Sequence, residues 1–136
     1  MTGKYFLSAA GAVALAAAMA VPATASGGAT AAPSAAPPAA FAQCAACHSV
    51  EPGRTVFGPS LAGVAGRRAG AVPGYAYSPA LAGSGLTWNE KTLDRWLAGP
   101  QRLVPGTKMP FGGMTNAAQR KQVVDYLMTL KSSPAR

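Results

Sequence analysis

The run Cys44-Ala45-Ala46-Cys47-His48 gathers both cysteines and the single histidine of a 136-residue chain into five positions. Two thiols three residues apart on one helical turn face the same side, and an imidazole follows directly. At this spacing two thioethers can anchor a porphyrin through its vinyl groups while the next side chain lies under the iron, which is the attachment pattern of c-type haem. Cys44 and Cys47 then become covalent anchors and His48 the proximal ligand. A redox disulfide with the same spacing would need a βαβ setting, and nothing near Cys44 reads as a strand. Structural zinc would need further cysteine or histidine ligands, and the chain has none left. Aromatic residues make up only 7% of the sequence, a thin core for this length that a buried porphyrin would thicken.

The N-terminus reads as a secretory signal over 1–25. Lys4 supplies the positive start, Tyr5 to Val21 the apolar run, and Ala23-Thr24-Ala25 a small-residue cleavage site. An uncleaved anchor tethering the protein to the membrane is the alternative, but the Ala and Gly content of the run makes it weakly hydrophobic for a span. The formal charge of +8 falls to +7 when Lys4 leaves with the signal. Such a balance favours an acidic partner surface, an anionic membrane or nucleic acid. Nucleic acid is not expected for an exported chain without a nucleic-acid-binding motif.

Residues 26–38 are an Ala/Pro-rich linker or disordered tail, and 39–136 form the domain. Good helix formers around Phe41 place the cysteine motif at the end of a short helix that begins near Pro37 or Pro38. Gly and Pro punctuate Glu51 to Gly74 too often for regular structure, and a loop this long in a small domain needs a cofactor to wrap. Thr87-Trp88-Asn89-Glu90 reads as a capping box for a helix that buries Leu93, Trp96 and Leu97 and stops at Gly99-Pro100. Gln101 to Gly113 reads as loop. A last helix from Thr115 or Asn116 to about Lys131 carries Val123, Tyr126, Leu127 and Leu130 on one stripe, which should pack on the Phe41 helix. No strand is convincing, so the fold class is all-α.

With the histidine used, soft candidates for the sixth ligand outside the signal are Met109, Met114 and Met128. Met128 sits in a helix interior, where methionine is usually core filler. Met109, between Pro105 and Pro110, is favoured over Met114, which follows Gly112-Gly113. Residue chemistry alone leaves both open.

The chain from Ala39 to Lys131 resembles the class I c-type cytochromes, the family of mitochondrial cytochrome c and its bacterial electron-carrying relatives. The resemblance rests on Cys44 to His48 together with Gly58-Pro59, Gly66-Arg67, Gly74-Tyr75-Ala76-Tyr77, Leu86-Thr87-Trp88 and Pro105-Gly106-Thr107-Lys108-Met109. It implies the cytochrome c fold, with short helices and long loops around one haem c. It also implies Met109 as the axial ligand, Phe111 beside the haem edge, a Pro59 carbonyl orienting His48, and Arg67, Tyr77, Trp88 and Thr107 near the haem propionates. Three positions depart from the family: Trp96 replaces a tyrosine beside the methionine, Leu81 replaces an asparagine of a buried water network, and Pro37 replaces a glycine between the terminal helices. Several lysines around the haem edge are also missing, with Gln101 and Leu103 in that neighbourhood and Arg102 between them.

These features imply a soluble periplasmic one-electron carrier, a monomer and not an enzyme, because an iron closed by His48 and Met109 has no site for substrate. Its partners would be an oxidase, a cytochrome bc1-type complex, a reaction centre or a dehydrogenase. A haem enzyme or gas-binding protein with Met109 displaced is the rival from another class.

Overall fold

The computed structural model describes residues 35–130 together with Gly3. The expected signal and most of the 26–38 linker lie outside the described residues, as does 131–136. Among the described residues five α-helices follow one another, with a 3-10 turn before the first: α1 (Ala42–Ala45), α2 (Pro79–Ala82), α3 (Glu90–Ala98), α4 (Pro100–Leu103) and α5 (Ala117–Thr129). Among the described residues the only β-type pairing is one isolated bridge between Arg68 and Thr87. The all-α expectation is met. No helix among them is long and apolar enough to cross a membrane.

The 3-10 turn, Ala39–Phe41, starts after Pro38 and runs directly into α1, so the cysteine motif does end a short helical stretch. Phe41 is buried and meets the Tyr126 ring edge-on at 4.8 Å, with α5 packed across the turn as the apolar stripe predicts. Pro37 does not prevent this meeting of the terminal elements.

Helix α3 is capped differently from the expected Thr87–Glu90 box. Asn89 is the N-cap: its Oδ1 accepts from Thr92 N–H at 2.9 Å, and Thr92 Oγ1 accepts from Asn89 N–H at 2.9 Å. Thr87 contributes only its carbonyl, which accepts from Thr92 Oγ1 at 2.6 Å. The frame shifts by two residues because Thr92 can serve both as N3 partner and as a tie to the preceding chain. Leu93, Trp96 and Leu97 are buried as expected and form the centre of the core with Val123, Val124 and Leu127 of α5.

Two helices were not anticipated. Gln101 to Gly113 is not loop throughout, because Pro100 opens a one-turn helix, α4, with proline at the position that needs no N–H. Ser78 caps α2 through Oγ, which accepts from Leu81 N–H at 3.2 Å, and Pro79 takes its first position.

Candidate functional site

His48 follows α1 on a turn in which its N–H and that of Cys47 both donate to the Cys44 carbonyl, at 2.9 and 3.1 Å. Its Nδ1 lies 2.8 Å from the carbonyl oxygen of Pro59. A carbonyl can only accept, so the proton sits on Nδ1 and the lone pair on Nε2. The ring is thus oriented with Nε2 free to accept, as a metal-ligating imidazole requires. Gly58 makes this approach possible: a Cβ there would lie 2.3 Å from His48 Cε1 and 2.6 Å from Nδ1.

His48 opens onto a cavity of about 420 Å³. Cys44, Cys47, Pro59, Arg67, Tyr77, Trp88, Thr107, Met109 and Phe111 all contribute to its wall, so the structure brings every expected site residue to one place. Met114 does not line it. That side chain is buried in the core at 5% exposure, with its backbone N–H donating to the Leu97 carbonyl at 2.7 Å. Of the two methionines that residue chemistry left open, it is Met109 that shares the cavity wall with His48. Trp96, Leu81 and Leu97 add apolar wall, consistent with a drier pocket where the family has an asparagine.

Polar groups cluster on part of the wall. Arg67 donates from Nη1 to the Ala62 carbonyl at 2.7 Å and from Nη2 to the Ser60 carbonyl at 2.9 Å, which fixes the guanidinium without neutralising it. Burial lowers the pKa of Arg67 and holds the Tyr77 phenol above its usual range. Thr107 Oγ1 is buried with no hydrogen-bond partner among the described residues. An orphaned hydroxyl and a partly desolvated cation on the wall of one cavity call for an anionic acceptor within it. Cys44 and Cys47 are free thiols. Burial pushes the Cys44 thiol up, which is the wrong direction for a redox-active thiolate and further disfavours the disulfide-exchange reading.

The residues present fit a haem c: two free thiols in the wall, an imidazole nitrogen and a thioether as soft donors, apolar plates, and donors suited to carboxylates. Sequence reasoning missed Gln43, Phe57 and Lys108 as parts of the wall. Of these only Lys108 carried a signal, its place next to Met109 in the loop. Its Nζ donates to the Ala76 carbonyl and sits 5.2 Å from the centre of the Tyr75 ring.

Comparison with known proteins agrees with this geometry. The family model described as cytochrome c matches residues 34–131. The chain is 52% identical over 94 residues to cytochrome c2 iso-2 of Magnetospirillum molischianum, covering 69% of this chain and 97% of that protein. It is 47% identical over 97 residues to cytochrome c2 of Rhodoblastus acidophilus, covering 71% and 91%. The solved structure of cytochrome cH from Methylobacterium extorquens superposes with a TM-score of 0.63 at 47% identity, covering 66% of this chain and 91% of that one.

Proposed function

The chain belongs to the cytochrome c family, and from that premise we propose that it is a soluble periplasmic carrier whose iron is held between His48 and Met109. The family's electron-transfer role and its single haem c, here on Cys44 and Cys47, stand without further argument. The observation that carries the ligand assignment is the pairing of His48 Nδ1–H with the Pro59 carbonyl, which leaves Nε2 free on the wall that Met109 shares. The bound group supplies one-electron exchange between two iron states.

The chain's own residues do the rest. Pro59 and Gly58 hold the imidazole in one orientation, and the turn from Val104 to Thr107 leads Met109 onto the same cavity wall. Gln101 staples that turn, donating from Nε2 to the Thr107 carbonyl at 2.5 Å and accepting from Gly106 N–H at 3.3 Å. Leu81, Trp96 and Leu97 exclude water, and a dry thioether-ligated pocket favours the reduced, less charged state. Arg67, Tyr77, Trp88 and Thr107 are assigned to the propionates, whose charge Arg67 offsets, and Phe111 to the haem edge.

The partners we assign are redox proteins with acidic docking surfaces. Arg102 bonds to the Ala98 carbonyl and Lys108 to the Ala76 carbonyl, and neither is paired with a carboxylate among the described residues. Lys91 lies apart, in the groove between α3 and α5. The bimolecular electron-transfer rate with an acidic partner is expected to fall roughly tenfold as salt rises from about 0.01 to 0.1 M, the range over which the screening length shrinks from ~30 to ~10 Å. Stopped-flow oxidation of the ferrous protein measures it. A rate indifferent to salt would overturn the acidic-surface assignment.

A further inference from the structure

The segment after Met109 is fastened where it meets α3 and α5. Phe111 N–H turns back to the Met109 carbonyl at 2.9 Å, and the chain then runs through Gly113 to Met114. At Gly113, where φ is +104°, a Cβ would lie 2.5 Å from the Ala98 carbonyl oxygen, so the backbone lies flush on the end of α3. Met114 is gripped from both sides. Its N–H donates to Leu97, and its carbonyl accepts from Arg120 Nη1 at 2.7 Å. Arg120 also donates from Nε to Asp94 Oδ1 at 2.7 Å.

One guanidinium therefore ties three segments: α3 through Asp94, α5 on which it sits, and the methionine loop. The Arg120 side chain is 15% exposed and that of Asp94 46%, so the pair is screened on the aspartate side and sheltered on the arginine side. The neighbouring charges in this groove are Glu90, Lys91 and Lys121, and Lys121 is occupied by Asp125 at 2.8 Å. No other side chain is bonded to the Met114 carbonyl among the described residues. Removing Arg120 leaves that carbonyl without its charged donor and frees the loop end from α5.

We propose that Arg120 is a positioning residue for Met109: it latches the end of the ligand loop to α3 and α5 and sets how often the thioether leaves the iron. The proposal rests on the reading of Met109 as ligand. A latch of this kind needs two donors at a fixed angle, which the guanidinium fork provides and a lysine ammonium does not.

The test is the rate at which ferric holoprotein takes up imidazole, a neutral ligand whose entry waits on departure of Met109 and does not respond directly to the lost charge. Arg120→Met is expected to speed uptake roughly tenfold, as losing a charge-assisted hydrogen bond predicts. Arg120→Lys should be nearly as fast and Asp94→Asn intermediate, and these two milder variants keep the test available if Arg120→Met does not fold. The methionine-to-iron absorption band and the thermal midpoint are followed in parallel. Wild-type uptake rates in all three variants, with or without a lower thermal midpoint, would overturn the latch, and so would full rescue by lysine. Wild-type protein that lacks the methionine band and binds imidazole at once would overturn the Met109 reading itself, a separate failure.

Discussion

Replacing both Cys44 and Cys47 with alanine is expected to yield a chain that carries no covalent haem and does not hold its fold. The core described above is built around a cavity of about 420 Å³ whose wall includes Leu81, Trp88, Leu93, Trp96, Leu97 and Leu127, residues that also form the centre of the hydrophobic cluster. At roughly 24 cal/mol per Å³, leaving such a volume empty costs up to about 10 kcal/mol, and since the cavity opens partly to water this is an upper figure. Small domains are stable by only about 5–15 kcal/mol in total. Short helices offer little in reserve, since α1, α2 and α4 are four residues each and isolated turns of that length do not persist. The check is twofold. Wild-type protein should keep its haem through acid-acetone extraction and denaturing electrophoresis, and the double variant should show neither haem stain nor a cooperative thermal transition. A double variant that unfolds cooperatively like the wild type would show that the polypeptide alone closes this core.

Met109→Ala is expected to open the iron, and Met114→Ala to leave it closed. Met109 is on the cavity wall beside Phe111, with Thr107 and Lys108 holding the loop before it. Met114 is in the core at 5% exposure. Losing the thioether should lower the reduction potential on the order of 0.1 V or more, within the roughly 0.8 V that axial ligands span. It should also permit carbon monoxide binding to the ferrous protein. Met114→Ala should instead cost about 2–5 kcal/mol of stability, the ordinary effect of truncating a buried methionine, with the potential little changed. Exchange of the two phenotypes would move the ligand to Met114.

Local signals carried much of this. The five-residue cysteine–histidine run states its chemistry by spacing alone, and the α5 stripe of Val123, Tyr126, Leu127 and Leu130 is long enough for its period to show; all four are buried. Helices α2 and α4 were not legible in the same way, because four residues span barely one turn and leave no repeat to detect. The cap of α3 shifted from Thr87 to Asn89 because several polar residues compete there and tertiary hydrogen bonds decide between them. Methionine carries no pattern that tells a ligand from a core filler, so residue chemistry left Met109 and Met114 open and the family resemblance pointed to Met109; the structure puts Met109 on the cavity wall and Met114 in the core. The Arg120–Asp94 pair joins residues 26 apart, and nothing in either neighbourhood announces it.

The claim on which the rest depends is a haem closed on both sides by His48 and Met109. The absorption spectrum of the purified full-length holoprotein, ferric and ferrous, with and without carbon monoxide, tests it most directly. The account predicts a low-spin six-coordinate spectrum in both states, a methionine-to-iron band in the ferric form, and a ferrous spectrum unaltered by carbon monoxide. A high-spin ferric spectrum, or a ferrous spectrum that shifts as soon as carbon monoxide is added, would contradict it.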